Sequence, residues 1–139
     1  MKKQILTAII ILLCLCRAIG QPQIFLGSSK QGIRNYMKTQ SMWTLDHEKR
    51  DRLTYSHING QARITYNFVK NTPGGMFYTC TSCSITLPDG PATEKYIRER
   101  LTGLRFKASA DSLRWTLITD LSDFTIHVIR CGNTLIYKY

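Results

Sequence analysis

Cys80-Thr81-Ser82-Cys83 has the spacing of redox dithiols and of half a zinc site. A redox pair needs a helix behind it to lower a thiolate pKa, and a structural zinc needs a second pair of ligands. The chain supplies neither, so these two residues read as structural cysteines. His47, His57 and His127 lack the helical HExxH pattern and have no nucleophile in a recognisable setting. Asp120 and Asp123 enclose Leu121-Ser122, a composition that favours a turn whose carboxylates accept backbone N–H groups. No catalytic residue, metal site or cofactor is therefore expected, and the chain does not read as an enzyme.

The N-terminal residues carry a different kind of information. Met1-Lys2-Lys3 is cationic, Ile5 to Cys16 is almost wholly apolar, and Ala18-Ile19-Gly20 places small residues ahead of a cut before Gln21. The apolar run of about twelve residues is short of the roughly twenty that span a bilayer. Residues 1–20 are expected to be a secretory signal peptide, and residues 21–139 a secreted, extracellular protein. The chain's formal charge of +10 becomes +7 when Lys2, Lys3 and Arg17 leave with a leader that has no acids. The remaining charges are scattered and often of mixed sign, as in Asp46 to Arg52 and Glu94 to Arg100, which suits a solvated face. Nucleic acid is not an expected partner, because no reader motif accompanies the charge.

Of the five cysteines, Cys14 and Cys16 lie in the leader, which leaves Cys80, Cys83 and Cys131 in an oxidising compartment. Linking Cys131 to either Cys80 or Cys83 closes a loop of about fifty residues, for a stabilisation of roughly 4 kcal/mol. Such a long-range disulfide is expected, with the partner of Cys131 open between the two. In one regular strand Cys80 and Cys83 would face opposite sides, so a bulge or turn at Thr81-Ser82 is needed to turn both inward.

The elements that must hold these residues are mostly strands. Residues 21–42 read as an extended arm with one helical turn before Trp43, and residues 43–139 as a single β domain. Ala62, Ile64, Tyr66 and Phe68 alternate with polar residues, and Met76 to Leu87 is rich in aromatic, Thr and Ile residues. Ala92 to Leu104 predicts a short helix or turn, followed by a strand. Leu113 to Thr119 and Phe124 to Arg130 form the clearest hairpin, and Leu135 to Tyr139 a last short strand. The expected fold is mostly β, an antiparallel up-and-down barrel or barrel-like sheet with little helix.

Trp115 to Cys131 resembles the lipocalin segment in which a strand ends in Thr-Asp, turns, and returns through an aromatic to a cysteine, with Thr119, Asp120 and Phe124 in those roles. Trp43 stands at about the interval before Asp120 at which lipocalins place a first-strand tryptophan. The family's glycine two residues before that tryptophan is Ser41 here, and its C-terminal arginine and long helix have no counterpart. The resemblance implies a barrel that carries a small hydrophobic ligand. Its cavity would be lined by the inward set Tyr66, Phe68, Tyr78, Phe106, Trp115, Leu117 and Ile126.

Two functions are thus expected in turn. The first is a secreted carrier or scavenger of a small hydrophobic ligand. The second is a cationic interaction protein, a defence factor or host-directed effector, that meets an anionic glycan, a membrane surface or a receptor through residues such as Arg98, Arg100, Arg105 and Lys107. Oligomeric state is not legible in the sequence.

Overall fold

The computed structural model describes residues 24–71, 73–74, 77–102, 106–118 and 125–139. Residues 1–20, expected to be a leader, and Thr119, Asp120, Phe124 and Arg105 lie outside them. In chain order the elements are α1 (Lys30–Lys38), β1 (Trp43–Lys49), β2 (Arg52–His57), β3 (Arg63–Lys70) and β4 (Tyr78–Thr86). The second half follows as α2 (Gly90–Arg100), β5 (Phe106–Ala108), β6 (Arg114–Ile118), β7 (Thr125–Cys131) and β8 (Thr134–Lys138). The eight strands make one antiparallel sheet in the order β1-β2-β3-β4-β8-β7-β6-β5. Each half of the chain is therefore a helix followed by a four-strand meander, and the halves join where β4 pairs with β8. The mostly β, antiparallel expectation holds, in its open, barrel-like form: β1 and β5 are the two edges of a sheet that does not close.

Period-two patterning sets the faces. Leu53, Tyr66, Cys83, Tyr137, Val128, Trp115 and Ala108 are successive register partners from β2 to β5, so their side chains form one row across the sheet. All but Ala108 are buried. A second row, Tyr55, Ile64, Ile85 and Leu135, is buried alongside it. Both helices cover this inner face. Ile33 and Met37 of α1, one turn apart, sit in the core, where the Tyr66 hydroxyl donates to Met37 Sδ at 3.9 Å. From α2, the Tyr96 hydroxyl meets that of Tyr137 at 3.1 Å.

The arm is more structured than its Gly and Ser content predicts. Ser29 caps a nine-residue helix, its hydroxyl accepting the Gly32 N–H at 3.1 Å. Lys30 and Arg34 then reach Glu48 of β1 at 3.2 and 3.5 Å. The β1–β2 hairpin is a further element that the sequence reading passed over. Its turn and outer residues are the charged run Asp46 to Arg52, while Leu53, Tyr55 and His57 alternate inward. Helix α2 is held at its start by Asp89, whose carboxylate accepts the Ala92 N–H at 2.7 Å, with Pro91 in the first turn.

The bulge required on β4 is present. Asn67 pairs with Ser82 but Phe68 pairs with Cys80, so Thr81 is the extra residue, and both Cys80 and Cys83 are fully buried on the inner face. The expected disulfide is not formed: all three described cysteines are free, and Cys131 is exposed at the end of β7. Register explains why. Cys131 pairs with Thr134 and Thr134 with Thr86, which puts Cys131 two strands, or about 10 Å, from β4, beyond the roughly 7 Å that a disulfide spans between Cα atoms.

Burial pushes the Cys80 thiol up to about 12 and that of Cys83 well above its ordinary value. At pH 8 a thiol reagent should therefore modify Cys131 rapidly, and Cys80 and Cys83 only when the protein is unfolded. Mass spectrometry of the labelled peptides checks this. A bridge surviving non-reducing denaturation between Cys131 and either β4 cysteine would contradict the register.

Two arm substitutions test its docking. Ser29→Ala should cost about 1 kcal/mol in urea unfolding through the lost cap. Gly27 has φ +82° and donates its N–H to the Cys80 carbonyl at 2.8 Å, and an added Cβ would lie 2.9 Å from Tyr139 Oη. Gly27→Ala should therefore cost about 1–2 kcal/mol and displace the Tyr139 ring. Equal stability of both variants and the parent would mean that the arm is not part of the folded unit.

Candidate functional site

The inner face is filled on one side of the β4–β8 junction and indented on the other. Over β2, β3 and β4, the ring of Phe25 packs edge-on to Tyr36 at 4.8 Å and tilted to Tyr66 at 6.1 Å, and Tyr55 meets Tyr66 at 6.3 Å. With α1 above them, Tyr66 and Phe68 belong to this packed core. Tyr78, two residues before Cys80 on β4, packs half-buried against the edge of this core. Its ring lies beneath the Arg50 guanidinium at 5.8 Å, and Arg50 Nε donates to its hydroxyl, so it faces the α1 end of the sheet. Tyr66 and Phe68 are covered by the arm and its helix, while Tyr78 lines a separate open pocket with Ser29, Lys30, Arg34 and Glu48.

Over β5, β6 and β7 the covering is thinner. Phe106, Leu117 and Ile126 are register partners and form a short apolar row at one end of the inner face. The arm crosses above them. Gly27 and Ser28 hydrogen-bond to both backbone groups of Cys80, at 2.8 and 2.9 Å, and this pairing sets the arm's course next to β4. Ile24 and Leu26, just before it, complete a half-open pocket of about 280 Å³ whose other walls are Phe106, Leu117, Ile126, Tyr137 and Tyr139. Trp115 is buried one register step along the same face, with Val128 and Ala108 as partners.

The lining is chemically simple. It contains no carboxylate, imidazole, amine or thiol. Its polar atoms are phenol hydroxyls. Desolvation raises the Tyr137 phenol far above its ordinary range, and the neighbouring Tyr96 hydroxyl adds to this, so Tyr137 is a neutral hydrogen-bonding group. Among the described residues no cluster of His, Cys, Asp or Glu is arranged to hold a metal ion.

Sequence reasoning brought Phe106, Leu117 and Ile126 to the pocket and Trp115 to its edge. It missed Tyr137 and Tyr139, although Leu135, Tyr137 and Tyr139 repeat at period two. It also missed Ile24 and Leu26, whose position depends on the arm's pairing with Cys80. Trp43 is buried at the start of β1, where its indole stands edge-on to the His57 ring at 5.2 Å and 84°, remote from the pocket lining.

Comparison with protein-family models, with curated proteins and with solved structures finds no match to this chain.

Proposed function

We propose that the protein is a secreted binding protein that takes a small, uncharged, apolar ligand between its N-terminal arm and the β5–β7 inner face. The pocket carries this reading: it is concave, apolar on nearly every wall, and supplied with a few phenol hydroxyls that can orient a ligand, as small-molecule sites usually are. Its volume of about 280 Å³ lies at the lower end of the usual range of about 300–1,000 Å³, which favours a compact ligand over a long one. The lipocalin resemblance agrees with this role but supports it less. Its turn motif lies outside the described residues, and the sheet joins two meanders instead of running from β1 to β8 in sequence.

The arm is a wall of the site as well as a strap, so occupancy and arm docking are coupled. A ligand that bridges Ile24 or Leu26 to Leu117 stabilises the folded arm by its own binding free energy. A panel of short uncharged apolar compounds (medium-chain alcohols, ketones and terpenes), with fatty acids, retinoids and biogenic amines as charged or longer comparisons, titrated against tryptophan fluorescence, should yield saturable binding by its compact uncharged members, with Trp115 as the nearby reporter. Ile126→Trp, which fills the pocket with an indole, should weaken that binding at least about tenfold, or about 1.4 kcal/mol, with an unchanged circular dichroism spectrum. Saturation by no member of the panel, or equal affinity in the filled variant, would dispose of the proposal.

A further inference from the structure

The same alternation that makes one face apolar makes the other basic. Lys107, Thr116, His127 and Lys138 are successive register partners on β5, β6, β7 and β8, and so form a row on the outer face, opposite the pocket. Three strand spacings separate Lys107 from Lys138, about 14 Å. Arg114 and Ile129, partners in the neighbouring register, lie beside them. Together these residues line a shallow groove of about 590 Å³.

Two observations mark this groove: its strands carry no acid, and its aligned cations are unpaired among the described residues. No Asp or Glu occurs in strands β5, β6, β7 or β8. Of the other cations, Lys30 and Arg34 are matched with Glu48, Arg63 with Asp46, and Arg130, on the inward-facing alternation of β7, with Glu94. Among the described residues Lys107, Arg114 and Lys138 make no ion pair, and all three are exposed. Asp111, in the β5–β6 hairpin near Arg114, is already engaged: its carboxylate accepts from the Ser109 hydroxyl and from the Leu113 N–H at 3.0 Å. Those two bonds, and then Arg114, hold it below the usual carboxylate range.

The groove's other chemistry narrows the occupant. Thr116 and His127 offer hydrogen-bonding groups between the cations, and Ile129 gives an apolar floor against which the C–H face of a sugar ring can rest. Trp115 borders the groove but is buried, so no exposed aromatic plane is available for stacking bases. A concave, cation-rimmed surface also lacks the projecting apolar anchors with which proteins enter a bilayer.

We propose that this groove binds a linear sulfated polysaccharide, with sulfates on Lys107, Arg114 and Lys138 and the chain running across the strands. The site is independent of the apolar pocket, since the two lie on opposite faces of one sheet. It refines the cationic reading of the sequence by moving the contact from the end of α2, where Arg98 and Arg100 sit, to the outer face of β5–β8.

The test compares two triple variants of the purified protein that lose the same charge. Lys107→Gln/Arg114→Gln/Lys138→Gln empties the groove, and Lys95→Gln/Arg98→Gln/Arg100→Gln neutralises exposed positions on α2. Binding to heparin at 0.15 M salt should weaken on the order of tenfold in the groove variant, with a shallower salt dependence, and change far less in the helix variant. Lys107→Arg/Lys138→Arg should retain binding, which separates lost charge from lost folding. Equal losses in the two triples would overturn the proposal, as would a groove-specific loss seen only with anionic phospholipid vesicles or only with duplex DNA.

Discussion

The pairing of β4 with β8 is the interaction on which the molecule depends. Register pairs from Ser82–Lys138 to Thr86–Thr134 join two halves, each with one helix and one four-strand meander. Cys83–Tyr137 and Ile85–Leu135 lie on the buried side of that junction and make the two apolar faces continuous. A half on its own would expose this strand edge and have too little apolar surface under its helix to be stable. The contact joins residues about fifty apart, so it forms only after both meanders exist to repay the entropy of closing the loop. Tight packing at Cys83 therefore matters more than its chemistry: a small, fully buried side chain leaves room for Tyr66 and Tyr137 on either side.

What was legible in the sequence follows from locality. The β6–β7 ribbon, β3 and β8 declared themselves because their periodicity is uninterrupted, whereas α2 was only half legible because helical spacing at Ile97, Leu101 and Leu104 runs into the alternation of Leu104, Phe106 and Ala108. The hairpin of β1 and β2 was obscured because β1 has only Trp43 buried and otherwise presents charge, so its residues looked like a solvated run. Helix α1 was masked by Gly27, Ser28, Ser29 and Gly32, although Ser29 is its cap and Ile33 and Met37 are its buried stripe. The order of the strands was not legible, because period two specifies which side of a strand faces inward and not which strand lies next to it. The disulfide failed for the same reason: an oxidising compartment argues for a bridge, but only register gives the distance.

The site divides along that line too. Phe106, Leu117 and Ile126 could be assigned to an inner face from alternation alone, and they meet as neighbours. Tyr66, Phe68 and Tyr78 satisfied the same pattern and ended elsewhere, because helix and arm cover one meander fully and the other in part. Alternation thus identifies a face, while the path of the covering segment decides where that face is vacant. The outer row of Lys107, Thr116, His127 and Lys138 was equally hidden, since its members are scattered over some thirty residues and only pairing aligns them.

An unclosed sheet leaves two rows of unpaired backbone groups, and each could template an additional strand from a neighbouring molecule. At one end β5 is only three residues long, too short to guide such growth. At the other, β1 carries Asp46, His47, Glu48 and Lys49 and is interrupted by an irregularity between Leu45 and His47, so an incoming chain meets charge and a broken hydrogen-bond rhythm. The charged stretch that conceals this hairpin in the sequence thus makes the β1 edge a poor template for a further strand.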